Sequence, residues 1–446
     1  MRADCRSEPA ARNGGAGLRD PPAVAACLAR GRLTRMILLL PTLSQPHLFG
    51  FSMAHQQSAP HLVASAAEPK SVQVPVVAEP KIDFLSPHVS PRCVELVTQV
   101  LESGWVSEGP MVERFERELA STLGVSRPVA LNSGTSALHL ALAVAGVGPG
   151  DEVILPPQTF IASGLSILMQ RAVPVFADVD PRTGNILPAS IARKITPRTK
   201  AVMPVHFAGY PCDMDEINEL AARHGLTVIE DAAHALGATY RGRPVGSISR
   251  LTAFSFQATK HLTSGDGGML CSLVEEDEDA ARRRRWFGID RRKDKPSLLG
   301  ERVYRLAAVG YKYHMNDLAA AVGLGNLEGF PARLRRRQRV AARLRAGLRD
   351  VPGLELLEAA ADRTHAYWLF PVLVLRREDF VRKLAERGIP ASVVNQRIDR
   401  HPVFGGIRRE LECQARFDER QISLPVHEDL TGAQVEYVVE VIRSGW

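Results

Sequence analysis

A chain of 446 residues, 45% hydrophobic and 24% charged, is long enough to bury a large core and to form two or three domains, as a soluble globular enzyme does. Its net charge of +7 comes mostly from arginine, concentrated at 282–285 and along 333–345, which brings an anionic partner into view. In the second stretch the arginines fall at helical spacing among Leu334, Val340, Leu344 and Leu348, the pattern of a solvated helical face. No basic run is interleaved with stacking aromatics, so nucleic-acid binding is not expected.

The six cysteines, Cys5, Cys27, Cys93, Cys212, Cys271 and Cys413, include none of the close pairs that zinc sites or redox motifs need. No metal is expected, and a reducing cytoplasm is the expected compartment. The apolar run 36–40 stops at Pro41, far short of the roughly 20 residues a membrane-crossing helix needs. The charged stretch before it and the lack of a small-residue cleavage pattern also argue against a signal peptide.

Residues 1–81 are rich in Ala, Pro, Arg, Ser and Gly without periodicity, which predicts a disordered extension, with Met53 as an alternative start. Packed structure is expected from Ile82 or Pro91, with helices over 93–101 and 112–123. From Val129 short apolar strands alternate with amphipathic helices, the signature of an α/β fold with a mostly parallel seven-stranded sheet covered on both faces. The strands are expected at 129–131, 152–155, 173–177, 201–205, 227–230, 252–256 and 268–272. A mostly helical stretch over 317–348 precedes a strand at 369–375 and a helix at 379–387. A large domain over 82–330 and a smaller C-terminal α+β domain over 331–446 are therefore expected.

Ligands bind beyond the carboxyl ends of strands in such sheets. Chemistry-bearing residues cluster there. Asn132-Ser133-Gly134-Thr135-Ser136 stands between a strand and an apolar helix, where free N–H groups, hydroxyls and the helix dipole suit a phosphate; the same residues also suit an ordinary helix cap. In Val228-Ile229-Glu230-Asp231-Ala232-Ala233-His234 a strand delivers an acid to its end. Such a carboxylate can keep a pyridinium nitrogen protonated, and the alternative is a capping Asp with a packed His. Phe254 to His261 puts Lys260 in a turn after a buried strand, the only lysine in a Gly- and Thr-rich loop. A partly desolvated amine there is a good Schiff-base nucleophile; the alternative is a surface lysine.

Taken together and in order, the phosphate cradle, the aromatic Phe160, Asp231 and Lys260 resemble the DegT/DnrJ/StrS family of sugar aminotransferases, which have the fold-type I fold of aspartate aminotransferase. The resemblance runs from about Ile82 to the C-terminus, through Gly104 to Pro110, Gly150 to Val153, Gly310 to Asp317 and Ser423-Leu424-Pro425. It implies pyridoxal 5'-phosphate (PLP) as cofactor, Lys260 as its Schiff-base lysine and Asp231 as partner of the ring nitrogen. His234 is implied as donor to the phenolic oxygen, Thr135, Ser136 and Ser255 as phosphate ligands, and Phe160 as the aromatic that stacks on the ring. In the family a Gly-Tyr-Asn-Tyr-Arg segment reaches the phosphate from the partner subunit. Here it reads Gly310-Tyr311-Lys312-Tyr313-His314, and Lys312 stands where asparagine is usual; a cation also serves a phosphate.

The implied enzyme is a homodimer with shared active sites that moves an amino group from glutamate or glutamine to a nucleotide-linked keto-sugar. The stretch Gly388 to Arg397, followed by Asp399-Arg400-His401, departs from the family's His-Tyr-x-Pro-x-His-like pattern and bears on the sugar pocket. Other readings are a cyclic ketone or ring precursor in antibiotic assembly as acceptor, dehydration, for which relatives carry histidine in place of the lysine, and a non-catalytic regulatory protein.

Overall fold

Short runs of aliphatic residues, each too brief for a helix, become strands here because both of their faces find apolar cover. The computed structural model describes residues 82–290, 297–304 and 306–446, so the expected extension over 1–81 lies outside the described residues. Two helices, α1 (Arg92–Ser103) and α2 (Pro110–Leu123), come first. Gly104 and Gly124, both at positive φ, end them, and Pro110 opens the second, where its missing N–H costs nothing. Then follow β1 (Val129–Leu131), α3 (Gly134–Val144), β2 (Glu152–Leu155), α4 (Ile161–Met169), β3 (Val173–Phe176), α5 (Pro188–Lys194), β4 (Thr199–Val202), α6 (Met214–Arg223) and β5 (Thr227–Asp231). A short ribbon, β6 (Thr239–Tyr240) and β7 (Arg243–Pro244), precedes β8 (Leu251–Ser255) and β9 (Gly268–Ser272).

These elements form a seven-stranded sheet in the order β1-β9-β8-β5-β4-β2-β3. The pairs from β8 through to β3 are parallel, and β9 runs against both of its neighbours. Strict alternation divides the side chains between two cores. Ile154, Val202, Val228 and Phe254 face one core with Phe115 and Leu324, whereas Val153, Leu155, Ala201, Ile229 and Ala253 face the other with Leu138 and Leu140 of α3 and Ile167 of α4. Full burial of one such side chain contributes about 1.5–3 kcal/mol. The strand expected at 201–205 begins earlier, at Thr199, and regular pairing stops before Pro204, which has no N–H for the ladder; Val205 then bridges to Asp231.

The remaining elements are α7 (Glu275–Arg284), α8 (Asp317–Leu327), α9 (Phe330–Gly347), β10 (Leu354–Leu356), β11 (Arg363–Thr364), β12 (Phe370–Val374), α10 (Arg377–Glu386), α11 (Glu412–Arg420), β13 (Gln421–Leu424) and α12 (Gly432–Arg443). Strands β10, β12 and β13 form an antiparallel sheet whose core, around Phe370, Val372, Phe380 and Leu424, also takes in Leu344 of α9 and Val438 of α12. Among the described residues no helix is long and apolar enough to cross a membrane.

The arginine-rich helix is not a solvated face throughout. Arg333 and Arg337 are buried on α9, and Arg337 makes two bonds to Glu428 Oε2, at 2.7 and 3.0 Å. Helical spacing cannot distinguish an arginine that meets water from one that meets a buried carboxylate distant in sequence. Removing one partner of such a pair leaves the other charged and dry. Arg337→Ala is therefore expected to lower stability by about 3–5 kcal/mol, read as a reduced denaturation midpoint of the full chain. An unchanged midpoint would show that the pair contributes nothing net.

Candidate active site

Alternation along β5 decides where its terminal acid points. Asp231 shares a face with Ile229, the face covered by α3 and α4, and it is buried. Ser163, in the first turn of α4, donates to Asp231 Oδ2 at 2.6 Å, and the backbone N–H of Ala233 donates to Oδ1 at 3.2 Å. Because the single Ser163 proton goes to the carboxylate, Thr159 Oγ1, 2.7 Å from Ser163 Oγ, is the donor of that contact. Burial raises the Asp231 pKa above the usual carboxylate value, opposed by the Ser163 and Ala233 bonds and by the charge of Lys260.

Strand β8 pairs with β5, so the turn that follows it brings Lys260 within electrostatic reach of Asp231. The backbone N–H of Lys260 closes the turn on the Gln257 carbonyl at 2.8 Å. Burial pulls the ammonium down to about 7, opposed by the Asp231 charge. An amine poised near neutrality can act as nucleophile and as proton carrier.

Trp368, 4% exposed, stands two residues before the start of β12. Its indole N–H donates to the Thr259 carbonyl at 3.0 Å. Lys260 Nζ lies 3.6 Å from the centre of its ring, and the His234 imidazole stacks on it at 3.9 Å with 21° between the planes. Two groups so close to one ring centre cannot share a face, so the indole lies between them. His234 is buried and its Nδ1 has no hydrogen-bond partner among the described residues. Burial, followed by the Lys260 charge, pushes its pKa well below the usual value, so the ring is neutral.

Across the sheet, the carboxyl end of β1 abuts that of β8. A Cβ on Gly134 would stand 2.8 Å from Ser255 Cβ and 3.3 Å from its Cα, and one on Gly268 would stand 2.2 Å from the Ser133 carbonyl oxygen. Only glycine permits this approach, which sets Ser255 beside the N-terminus of α3. There Ser133 caps the helix by accepting from the Ser136 N–H at 3.0 Å, and Ser136 Oγ donates to Asn132 Oδ1 at 2.7 Å. Thr135, half-buried, occupies the same first turn. This is the positive end of a helix with hydroxyls around it, the environment in which an anion binds.

Phe160 caps α4 one turn before Ser163 and is 59% exposed. Lys312 lies elsewhere: its backbone carbonyl accepts from Asn132 Nδ2 at 3.3 Å, but its Nζ sits 3.5 Å over the Trp286 ring. The stretch after Gly388 returns to α4, where Gly164 has room only for hydrogen against Phe404 and Ile398. Arg397 is buried there in a two-bond pair with Asp399, at 2.6 and 2.7 Å.

Residues 88–443 match the DegT/DnrJ/EryC1/StrS aminotransferase family. The chain belongs to that family. It is 40% identical over 375 residues to the spore coat polysaccharide biosynthesis protein SpsC of Bacillus subtilis (strain 168), covering 81% of this chain and 96% of that protein. It is 36% identical over 373 residues to the GDP-perosamine synthase of Caulobacter vibrioides (strain ATCC 19089 / CIP 103742 / CB 15), covering 81% and 98%. The crystal structure of the sugar aminotransferase CalS13 from Micromonospora echinospora superimposes with a TM-score of 0.78 at 37% identity, covering 82% of this chain and 100% of that one. The fold is thus the fold-type I architecture of the DegT/DnrJ/EryC1/StrS aminotransferases, and the protein is a PLP-dependent aminotransferase.

Two residues of this family member's site escape a reading of the sequence, Ser163 and Trp368. Ser163 sits in an apolar helix with nothing to mark it except its place one turn after Phe160. Trp368 stands two residues before a strand, and its only signal is an aromatic at the mouth of a strand more than a hundred residues from Lys260. Because the Ser163 bond favours the charged form of Asp231, Ser163→Ala should raise the Asp231 pKa further. On acidification the carboxylate is then protonated at higher pH. The acid limb of the pH–rate profile is expected to move upward with a several-fold loss of rate below neutrality; an unmoved limb would mean that Asp231 does not need this donor.

Proposed function

We propose that the enzyme transfers an amino group from glutamate or glutamine to a keto-sugar carried on a nucleoside diphosphate. The observation that carries this reading is a half-buried lysine, lowered to about 7, in the turn after β8 and within electrostatic reach of the buried carboxylate of Asp231 at the end of the adjacent strand. A GDP-perosamine synthase and a spore coat polysaccharide biosynthesis protein among the relatives support a nucleotide-linked sugar acceptor.

The residues present fit PLP. The close approach of Ser255 to Gly134 at the start of α3 supports a phosphate held by Thr135, Ser136 and Ser255. The Nδ1 of buried His234, without a partner among the described residues, supports a bond to the phenolic oxygen, and Asp231 suits the ring nitrogen. Phe160, at the head of the helix that supplies Ser163, would cover the ring. Bound PLP supplies an electron sink for charge developing at the substrate carbon. Lys260 would hold the cofactor through Nζ and, once free as an amine, take the proton from the donor's α-carbon and return it at the neighbouring carbon. Asp231 would keep the ring nitrogen's proton in place by its charge, and Ser163 would keep Asp231 aimed.

We further propose that residues 82–330 form the cofactor-binding part and 331–446 a smaller part, a division supported by the separate core of the three-stranded sheet. The enzyme would work as a homodimer in which Lys312 serves the phosphate of the other subunit.

Borohydride reduction followed by peptide mapping should place the cofactor on Lys260; label on another lysine would defeat the central assignment. Asp231→Asn should retain the cofactor and lose on the order of a hundredfold or more in turnover, the range for removing a positioned electrostatic partner. Near-normal turnover would leave the acid as no more than a structural group. Assay of a nucleotide-linked keto-sugar beside the free sugar tests the acceptor, and equal rates with both would argue against recognition of the diphosphate.

For the shared site, inactive Lys260→Ala and Lys312→Glu chains should regain activity when their subunits exchange. One of the two sites in a mixed dimer then has both residues intact. Mixed dimers that form and stay inactive would show that Lys312 does not act across the interface.

A further inference from the structure

The Lys260–Trp368–His234 sandwich contains one residue for which the chemistry so far has no use. The indole is buried, it is fastened through Nε1 to the carbonyl of Thr259, next to the lysine, and its two faces are taken by the amine and by the stacked imidazole. An indole face attracts an ammonium through its quadrupole and has little hold on a neutral amine. We propose that Trp368 is a positioning residue, the seat that receives Lys260 Nζ when it is protonated and keeps it beside Asp231, while its opposite face fixes the plane of His234. This rests on Lys260 being the cofactor lysine.

During transfer the neutral Nζ would take the proton from the donor's Cα–H bond, and bound PLP would supply the electron sink for the electron pair left behind. The new ammonium would otherwise be stranded in a site that disfavours charge. Seated on the indole, it stays within reach until it gives the same proton to the neighbouring carbon, so the cycle consumes no acid or base. Among the described residues the titratable groups coupled to Nζ are Asp231 at the end of β5, His234 after it and the adjacent His261. Asp231 is the one that favours the ammonium by charge. Trp368 adds to this attraction from the other part of the chain without adding a second carboxylate.

The test uses the cofactor-free full-length protein, so that it reads the lysine and not turnover. Reductive methylation with labelled formaldehyde, with Lys260→Ala to assign the resonance, gives the pKa of Lys260 by NMR titration. Trp368→Leu keeps apolar cover and loses the π face, and the lysine pKa should fall by roughly one pH unit, the size expected of a desolvated cation–π contact. Trp368→Phe keeps a face but loses the bond to Thr259 and should stay near the wild-type value; Trp368→Tyr provides a second face-retaining variant should Phe fold poorly. A lysine pKa that is unchanged or higher in Trp368→Leu, or one that falls equally in Leu and Phe, would overturn the proposal. Borohydride mapping of the reconstituted wild-type enzyme, run in parallel, separates the two ideas. Label off Lys260 defeats the functional assignment and this proposal with it, whereas label on Lys260 with an unmoved pKa defeats the seat alone.

Discussion

Asp231, at the end of β5, and Lys260, in the turn after the neighbouring parallel strand β8, are groups of opposite charge in surroundings that disfavour both charges. Burial pushes the acid up and the amine down, and each charge partly restores the other. Were the pair in water, the amine would be fully protonated and would not be poised near neutral pH. Much of the surrounding polar structure follows from this constraint. Ser163, relayed from Thr159, and the N–H of Ala233 supply bonds that water would otherwise make to the carboxylate. On the far side of the lysine an indole face provides attraction without a competing acid.

The lysine turn is also braced from behind. Asn326, buried at the end of α8, donates to the Thr263 carbonyl at 2.8 Å, and Thr263 Oγ1 donates to the Phe256 carbonyl at 3.1 Å. His261 Nε2 meets the Leu236 carbonyl at 2.8 Å, and Phe256 packs edge-on against Phe115 of α2, with ring centres 5.3 Å apart. Asn326 in turn receives Arg333, whose neighbour one turn along α9, Arg337, pairs with Glu428. The basic helix thus works as a buried clamp between the lysine turn and the C-terminal segment. A reactive loop can carry a destabilised amine only if the backbone around it has little freedom to relax.

The substrate side is constrained differently. The segment after Gly388 crosses α4 at Gly164, close to the helix turn that carries Phe160 and Ser163. Its buried arginine, Arg397, is already neutralised by Asp399 and bonded to the Arg408 carbonyl, which removes it as a free cation for a diphosphate. The departure of this segment from the family pattern therefore has a structural counterpart, a locked ion pair at the approach to the site.

By itself the sequence determined those features that depend on local order. Strands at 129–131, 152–155 and 268–272 were legible to the residue, because a short apolar run bounded by Gly, Pro or polar residues admits one reading. Period-2 alternation also assigns Asp231 to the face of Ile229, and the ordered set of Ser133 to Ser136, Phe160, Asp231 and Lys260 carries the resemblance to the family. Tertiary structure decided what those residues meet. That Ser163 is the donor to Asp231, that Trp368 separates Lys260 from His234, that Lys312 rests on Trp286, and that Arg333 and Arg337 turn inward are all contacts between segments far apart in the chain. Periodicity states which face of an element a side chain occupies. What covers that face depends on how the elements pack, and in this protein packing made a tryptophan beside the C-terminal sheet part of the lysine's surroundings.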